Sequence, residues 1–330
     1  MVIEQRQTIL NMYNSGIVPE VIALQMDKSK EEIIQIIEKT KLAEEERNKR
    51  NKVGLPLSSE VQVRKDYSIP LITKEYFDKT VNIDHAIKSA QSRMWRALTV
   101  KSDFDISMEE TQHALNNYAE SKATFVILHI DLVDSTKLSM TLPVNRLVTI
   151  IQAFSEEMSV VLSAYGGYVL KYIGDAVLAF FIVDSPNSLY LRCINAMECA
   201  CSMIKVVRQG INPILNQYDY PELRVRVGID VGDNAVVQFG WDTHTVDGKV
   251  ITKSPHFDIL GYTISIAAKM TGFAKPDQIV IGQLVYDILE KDKQSTFRLL
   301  PISPQIWDYV SNNTGGIYHL YSSINESERR

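Results

Sequence analysis

Two aspartates and a lysine stand out because each interrupts strongly apolar sequence. Asp131 ends the β-branched run of HIDLVDST, and Asp175 sits at the turn of KYIGDAVLAFF (residues 171–181), four positions after Lys171. A buried carboxylate is costly unless it is paired or bound to a cation. Two of them at the edges of neighbouring strands suit Mg²⁺ or Mn²⁺, which take one or two protein carboxylates and complete their shell with phosphate oxygens and water. Taken singly, each acid is equally well accounted for as a turn or helix cap. Lys171 and Asp175, read in isolation, form a local ion pair across the turn.

The residues after Asp131 point to an anion. Leu132, Val133, Asp134, Ser135 and Thr136 turn from strand to helix, with backbone N–H groups and two hydroxyls at the helix start, where a triphosphate would fit. Simple capping by Ser135 or Thr136 uses the same geometry.

The elements that must position these groups follow from periodicity. ATFVILHIDL reads as a strand, PVNRLVTIIQAFSEEMSVVLSAYGG as a long amphipathic helix closed by Gly166-Gly167, and YVLKYIGDAVLAFF as two strands turning at Ile173-Gly174. A helix, NSLYLRCINAMECACSMIKVVRQG, precedes the strand ELRVRVGIDVG and a second arm, AVVQFGW; the helix YTISIAAKMTGFA then leads to the strand QIVIG. This alternation predicts an α+β, ferredoxin-like sandwich, an antiparallel sheet with helices over one face. The polar stretch DTHTVDGKVITKSPH, residues 242–256, exceeds a tight turn and is expected to be a flap near the site. His129 reads as a packed core histidine.

Upstream, residues 1–48 read as a small helix-turn-helix-like module and 49–120 as a linker and helical regulatory or dimerisation region. In the latter, IDHAIKSAQSRMWRAL is helical, with Trp95 a packing anchor, and SMEETQHALNNYAESK (107–122) has the capping-box spacing Ser107 to Glu110. The would-be reading helix of the first module carries Glu31, Glu32 and Glu38 among its lysines, which argues against a groove-reading role and for a regulatory or oligomerising one.

The 330 residues suffice for a proper core, and 35 basic against 40 acidic residues (net charge −5) give no overall field toward nucleic acid or an anionic membrane. Cys193, Cys199 and Cys201 cluster on one helix and read as core residues of a reducing compartment. No apolar run is expected to reach the roughly 20 residues needed to span a bilayer, so a cytoplasmic protein with no membrane and no nucleic-acid partner is expected.

Four blocks carry a family resemblance: FVILHIDLVDSTKLS, KYIGDAVLAFF, RVRVGIDVGDNAVVQFG and FDILGYTISIAAKM, in this order, resemble the signature blocks of the class III nucleotidyl cyclase catalytic domain. The resemblance covers residues 121–322, leaving 323–330 as a tail. It implies an adenylate cyclase that converts ATP to 3′,5′-cyclic AMP and pyrophosphate, with two Mg²⁺ or Mn²⁺ ions per active site on Asp131, Asp175 and the Leu132 carbonyl. It also implies that Lys171 and Asp258 read adenine, Lys donating to N1 and Asp accepting from the amino group; guanine presents the opposite polarity. Ser265 stands where the family usually has the ribose-orienting Asn, and Lys269 where it has the triphosphate Arg, which implies retained but slowed catalysis. A late phosphate-binding lysine has no match in WDYVSNNTGGIYHLY. Because the base-reading and metal-binding residues of one family site come from different subunits, the resemblance implies a head-to-tail homodimer. Alternatives are cyclisation of GTP or of pyrimidine nucleotides, as in bacterial relatives of antiphage signalling, and a catalytically weak nucleotide-binding regulator.

Overall fold

The computed structural model describes residues 3–39, 82–100, 104, 108–239, 243–246, 249–252, 256–311 and 315–324. Strand β1 (Lys122–Leu132) is its axis: six consecutive buried residues, Phe125 to Ile130, lie between antiparallel neighbours on both sides. Those neighbours are β3 (Ala176–Val183), which β2 (Tyr168–Ile173) joins at the edge, and the 15-residue β4 (Val225–Phe239). The order β2-β3-β1-β4 is the ferredoxin-like arrangement expected. What the pattern shows as two arms after residue 222 is one continuous strand, β4. Its first half pairs in parallel with the later strand Gln278–Gly282, and its second half pairs antiparallel with the strand His256–Leu260.

In chain order the helices before β1 are α1 (Ile3–Asn14), α2 (Pro19–Met26), α3 (30–39), α4 (Ile83–Thr99) and α5 (Glu109–Asn116). After β1 come α6 (Ser135–Thr141), α7 (Val144–Ala164) and α8 (Leu189–Lys205), which runs through a π segment (Val206–Ile211) into α9 (Asn212–Gln217). β5 (Thr243–Val246) and β6 (Lys249–Thr252) form a hairpin within the polar stretch read as a flap, followed by β7 (His256–Leu260) and α10 (Tyr262–Thr271). The strand Gln278–Gly282 is β8.

Alternation along β1 separates two packing faces. Val126, Leu128 and Ile130 pack with Phe154 and Met158 of α7 and Cys193 and Met197 of α8. Phe125 and Ile127 face the other way, onto Leu115 of α5 and Ala267 of α10. The helices therefore do not cover one face alone, as the sequence suggests. α10 approaches the second face closely because Gly228 has no side chain: a Cβ there would lie 2.2 Å from the Ala267 carbonyl oxygen.

Several expectations need correction. α7 is long and apolar enough to cross a bilayer, contrary to the sequence count, but one side of it is built into this core. Cys193 and Cys199 are buried, whereas Cys201 is exposed. Helix α5 starts at Glu109 with Met108 at its N-cap and no side-chain cap; Ser107 lies outside the described residues. The helix also stops at Asn116, so β1 begins at Lys122.

The N-terminal helices share the apolar core beneath the sheet. Ile9, Val21, Ile22 and Ile33 belong to the same apolar cluster as Met94 of α4 and Leu162 of α7. The wholly buried Gln91 ties the layers together: its Oε1 accepts from the Val18 N–H, and its Nε2 donates to the carbonyls of Gly16 and Gln209. Trp95 packs against this cluster.

Candidate active site

The ladder between β1 and β3 ends at Ile130 opposite Val177, so Asp131 and Asp175 stand at the same end of adjacent strands. Gly174 makes the hairpin turn with φ +64°, a left-handed conformation that only glycine adopts at little cost. Asp175 follows it, and its Oδ2 is buried without a hydrogen-bond partner. Asp131 faces Arg226, its register partner on β4, whose Nη2 and Nε donate to Oδ2 at 2.7 and 3.0 Å. His129, two residues back on the same face, is buried with Nδ1 unpartnered. Burial holds its pKa below the usual value, while Asp131 and Asp175 pull it upward, so both carboxylates act on one small region.

A buried oxygen with no donor and a second carboxylate beside it, shared with an arginine, fit a divalent cation that brings phosphate oxygens and water as its remaining ligands. Among the described residues no cluster of three acidic, histidine or cysteine side chains exists, so protein ligands alone would not complete the shell.

At the strand-to-helix turn, Asp134 adopts φ +58° and precedes α6 without a side-chain cap, and Arg224 lies 3.4 Å from its carboxylate. Leu132 is buried, and Val133 donates its N–H to the Arg224 carbonyl. Ser135 and Thr136 open α6 as residues of its first turn.

Lys171 and Asp258, 87 residues apart, meet directly: Lys171 Nζ donates to Asp258 Oδ2 at 2.5 Å. Asp258 is buried on β7 and its Oδ1 accepts its neighbour Ile259's N–H. Lys171 reaches that face through a bulge. Val169 pairs with Ala179 but Lys171 pairs with Leu178, so Leu170 is the extra residue and both it and Lys171 turn toward the second face. The local Lys171–Asp175 pair suggested by proximity in sequence does not form; Lys171 is held by Asp258 instead.

Ser265 and Lys269 lie one turn apart on the exposed side of α10. Ser265 lines a cavity of about 390 Å³ with Tyr262, Tyr309, Ser311 and Tyr318. Lys269 Nζ lies 5.5 Å from the Tyr309 ring centre, and its hydrogen bond to Tyr309 raises its pKa. Trp307 packs edge-on against Tyr309 and donates Nε1 to the Tyr318 carbonyl, fixing that wall.

Beneath α10, Asp230 is wholly buried; its Oδ1 accepts the Tyr318 hydroxyl at 2.6 Å and its Oδ2 has no partner. Burial pushes its pKa up to about 7, against 3.8 for the exposed group. A raised folded-state pKa makes stability highest below the unfolded value and costs stability as pH rises through about 7. Asp230→Asn keeps the acceptor for Tyr318, so the variant should gain thermal stability relative to the parent between pH 5 and pH 8. Melting curves across that range check this; parallel curves would contradict it.

Arg226, Tyr309, Asp230 and the bulge escaped the sequence reading. Arg226 and Asp230 left a signal, charged residues inside the apolar strand RVRVGIDV.

Residues 117–302, more than half of the chain, match the family described as the Adenylate and Guanylate cyclase catalytic domain, and the chain belongs to it. It is 24% identical over 214 residues to a cytidylate cyclase of Escherichia coli, covering 62% of this chain and 44% of that protein. It is 26% identical over 200 residues to the uridylate cyclase of Rhodovulum sp. (strain MB263), covering 58% and 75%. A cytidylate cyclase of Staphylococcus aureus is 25% identical over 180 residues, covering 53% and 39%, so the chain spans under half the length of these two cytidylate cyclases. The crystal structure of the adenylyl cyclase CyaB from P. aeruginosa superposes with a TM-score of 0.47 at 19% identity, over 62% of this chain and 96% of that one.

Proposed function

We propose that the protein is a homodimeric nucleoside triphosphate cyclase selective for a base that presents an amino group beside a ring-nitrogen acceptor on its Watson–Crick edge. The supporting observation is the Lys171–Asp258 pair, one donor beside one acceptor. Adenine offers an acceptor at N1 next to its 6-amino group, and cytosine an acceptor at N3 next to its 4-amino group; guanine and uracil reverse both. The polarity argument for ATP therefore holds against GTP and UTP but not against CTP. ATP is the first reading, because the family resemblance assigns such a pair to adenine. CTP is the second, favoured by similarity to the cytidylate cyclases.

In this reading the ribose 3′-hydroxyl loses its proton to water as its oxygen attacks the α-phosphorus, the bond to the bridging oxygen of the β-phosphate breaks, and pyrophosphate leaves. Asp131 and Asp175 would hold Mg²⁺ or Mn²⁺, which when bound neutralises phosphate charge and acidifies the attacking hydroxyl. Arg226 shares Asp131 and adds a fixed cation beside the phosphates. Ser265 orients the ribose. Lys269 stabilises charge on the transferring phosphate as a point charge, without the fork of an arginine. Asp134, Ser135 and Thr136 supply backbone N–H groups and hydroxyls toward the triphosphate, whereas the Val133 N–H, expected to join them, is already taken by the Arg224 carbonyl. The second subunit completes each site, with Lys171 and Asp258 from one copy and the carboxylates from the other.

Lys269→Arg should raise turnover by about three- to tenfold, since a guanidinium can add a second charge-assisted bond in a fixed fork that an ammonium cannot make. Initial rates of pyrophosphate release check this, and an unchanged or lower rate would count against Lys269 as the transition-state cation. Incubation with ATP, GTP, CTP and UTP in turn, with Mn²⁺ and identification of the cyclic product, tests the proposal as a whole. Nucleotide binding without any cyclic product would instead favour a regulatory module.

A further inference from the structure

Helix α5 lies ahead of the four signature blocks, yet it bonds to both strands that carry the base-reading pair. Thr111, nearly fully buried, donates its hydroxyl to the Val169 carbonyl of β2 at 2.7 Å. Gln112 donates Nε2 to the Phe257 carbonyl of β7 at 3.1 Å and accepts the Phe257 N–H on Oε1 at 2.7 Å. Its side-chain amide thus takes the place of a paired strand's peptide group. Leu115 packs in one apolar cluster with Leu170 and Phe257.

The placement of these bonds matters. β2 and β7 are not neighbours in the sheet: β2 is its edge beside β3, and β7 hangs on the far half of β4. Val169 is the residue before the bulge that turns Lys171 toward Asp258, and Phe257 is the residue before Asp258. A glutamine in this partly buried position is favourable only when both of its amide groups are paired, so its two bonds specify one register of β7 against the helix. We infer that Thr111 and Gln112 are positioning residues that set the separation and aim of Lys171 and Asp258, and through them the selectivity for the base. The inference rests on the base-reading role given to that pair above.

The test uses the full chain, with kcat and KM measured for ATP, CTP, GTP and UTP in Gln112→Leu, which keeps the volume and removes both bonds. The expected result is a rise of about tenfold in KM for the preferred nucleotide, in line with the loss of one to two net hydrogen bonds. kcat should change little, and the preference for amino over keto bases should fall by about the same factor. In a Lys171→Ala background the substitution should bring no further loss of selectivity. A lowered melting temperature with unchanged KM and selectivity would overturn the inference and leave helix α5 a packing element. If Gln112→Leu does not fold, Thr111→Val, which removes one hydroxyl and keeps the shape, carries the same comparison. Equal use of all four nucleotides by the unaltered protein would instead remove the base-reading role of Lys171 and Asp258, a result distinct from a selective parent with an unaffected variant.

Discussion

Asp175→Ala is expected to lose cyclase activity by at least about a hundredfold, as when a main electrostatic group is taken from an active site, while melting no lower than the parent protein. The two halves of this expectation have separate causes. Asp175 places a buried oxygen, Oδ2, with no hydrogen-bond partner beside Asp131, so the fold bears the desolvation of that oxygen without a compensating bond. Removing it costs the fold little and relieves that burden; removing it costs the reaction a ligand for Mg²⁺ or Mn²⁺. Asp131→Ala should be equally inactive but slightly less stable, because it also frees the partly exposed Arg226, a pair worth about 1 kcal/mol at such exposure. Thermal melting and product formation on the same preparations check both variants. An active Asp175→Ala, or one that is inactive because it unfolds, would contradict the assignment.

Lys171→Ala and Asp258→Ala should each lower kcat/KM for the preferred amino-base nucleotide by about a hundredfold or more, while hardly affecting the poor keto-base substrates. A pocket built to bond a substrate group rejects the analogue lacking it strongly, because its own polar atoms are then left unpaired. Asp258 is the buried member, so its loss should erase more selectivity than the loss of the half-exposed Lys171. The four nucleotides compared at fixed Mn²⁺ provide the measurement. Uniform loss across all four would point to damage to the fold rather than to base reading.

The parts of the site legible in the sequence are those that break a pattern. An acid ending an apolar strand and a Gly-Asp turn are visible because burial makes them costly, and the four blocks fixed β1, the β2–β3 hairpin, β4 and α10 in order. The role of Arg226 depends on register: only the pairing of β1 with β4 sets it opposite Asp131. The bulge at Leu170 was invisible for a related reason. Strict alternation in YVLKYI puts Leu170 and Lys171 on opposite faces, and only the pairing with β3 reveals the extra residue. Thr111 and Gln112 sit in a segment that reads as a helix of a regulatory or dimerisation region, and nothing ties it to the site, since their partners are backbone groups 58 and 145 residues away and backbone groups leave no trace in composition. The count of apolar residues failed at α7 because a core helix and a membrane span pass the same test until burial is known.

The central claim, a cyclase whose sites are shared between two copies of this chain, is tested most directly by mixing. Asp131→Ala and Lys171→Ala proteins, each inactive alone, are unfolded together, refolded as a mixture and assayed for cyclic nucleotide from the preferred substrate. In a mixed dimer one site collects both defects and the other collects none, so random pairing should restore about a quarter of the parent activity. A mixture as inactive as its two components, under conditions in which the refolded parent is dimeric and active, would contradict the account.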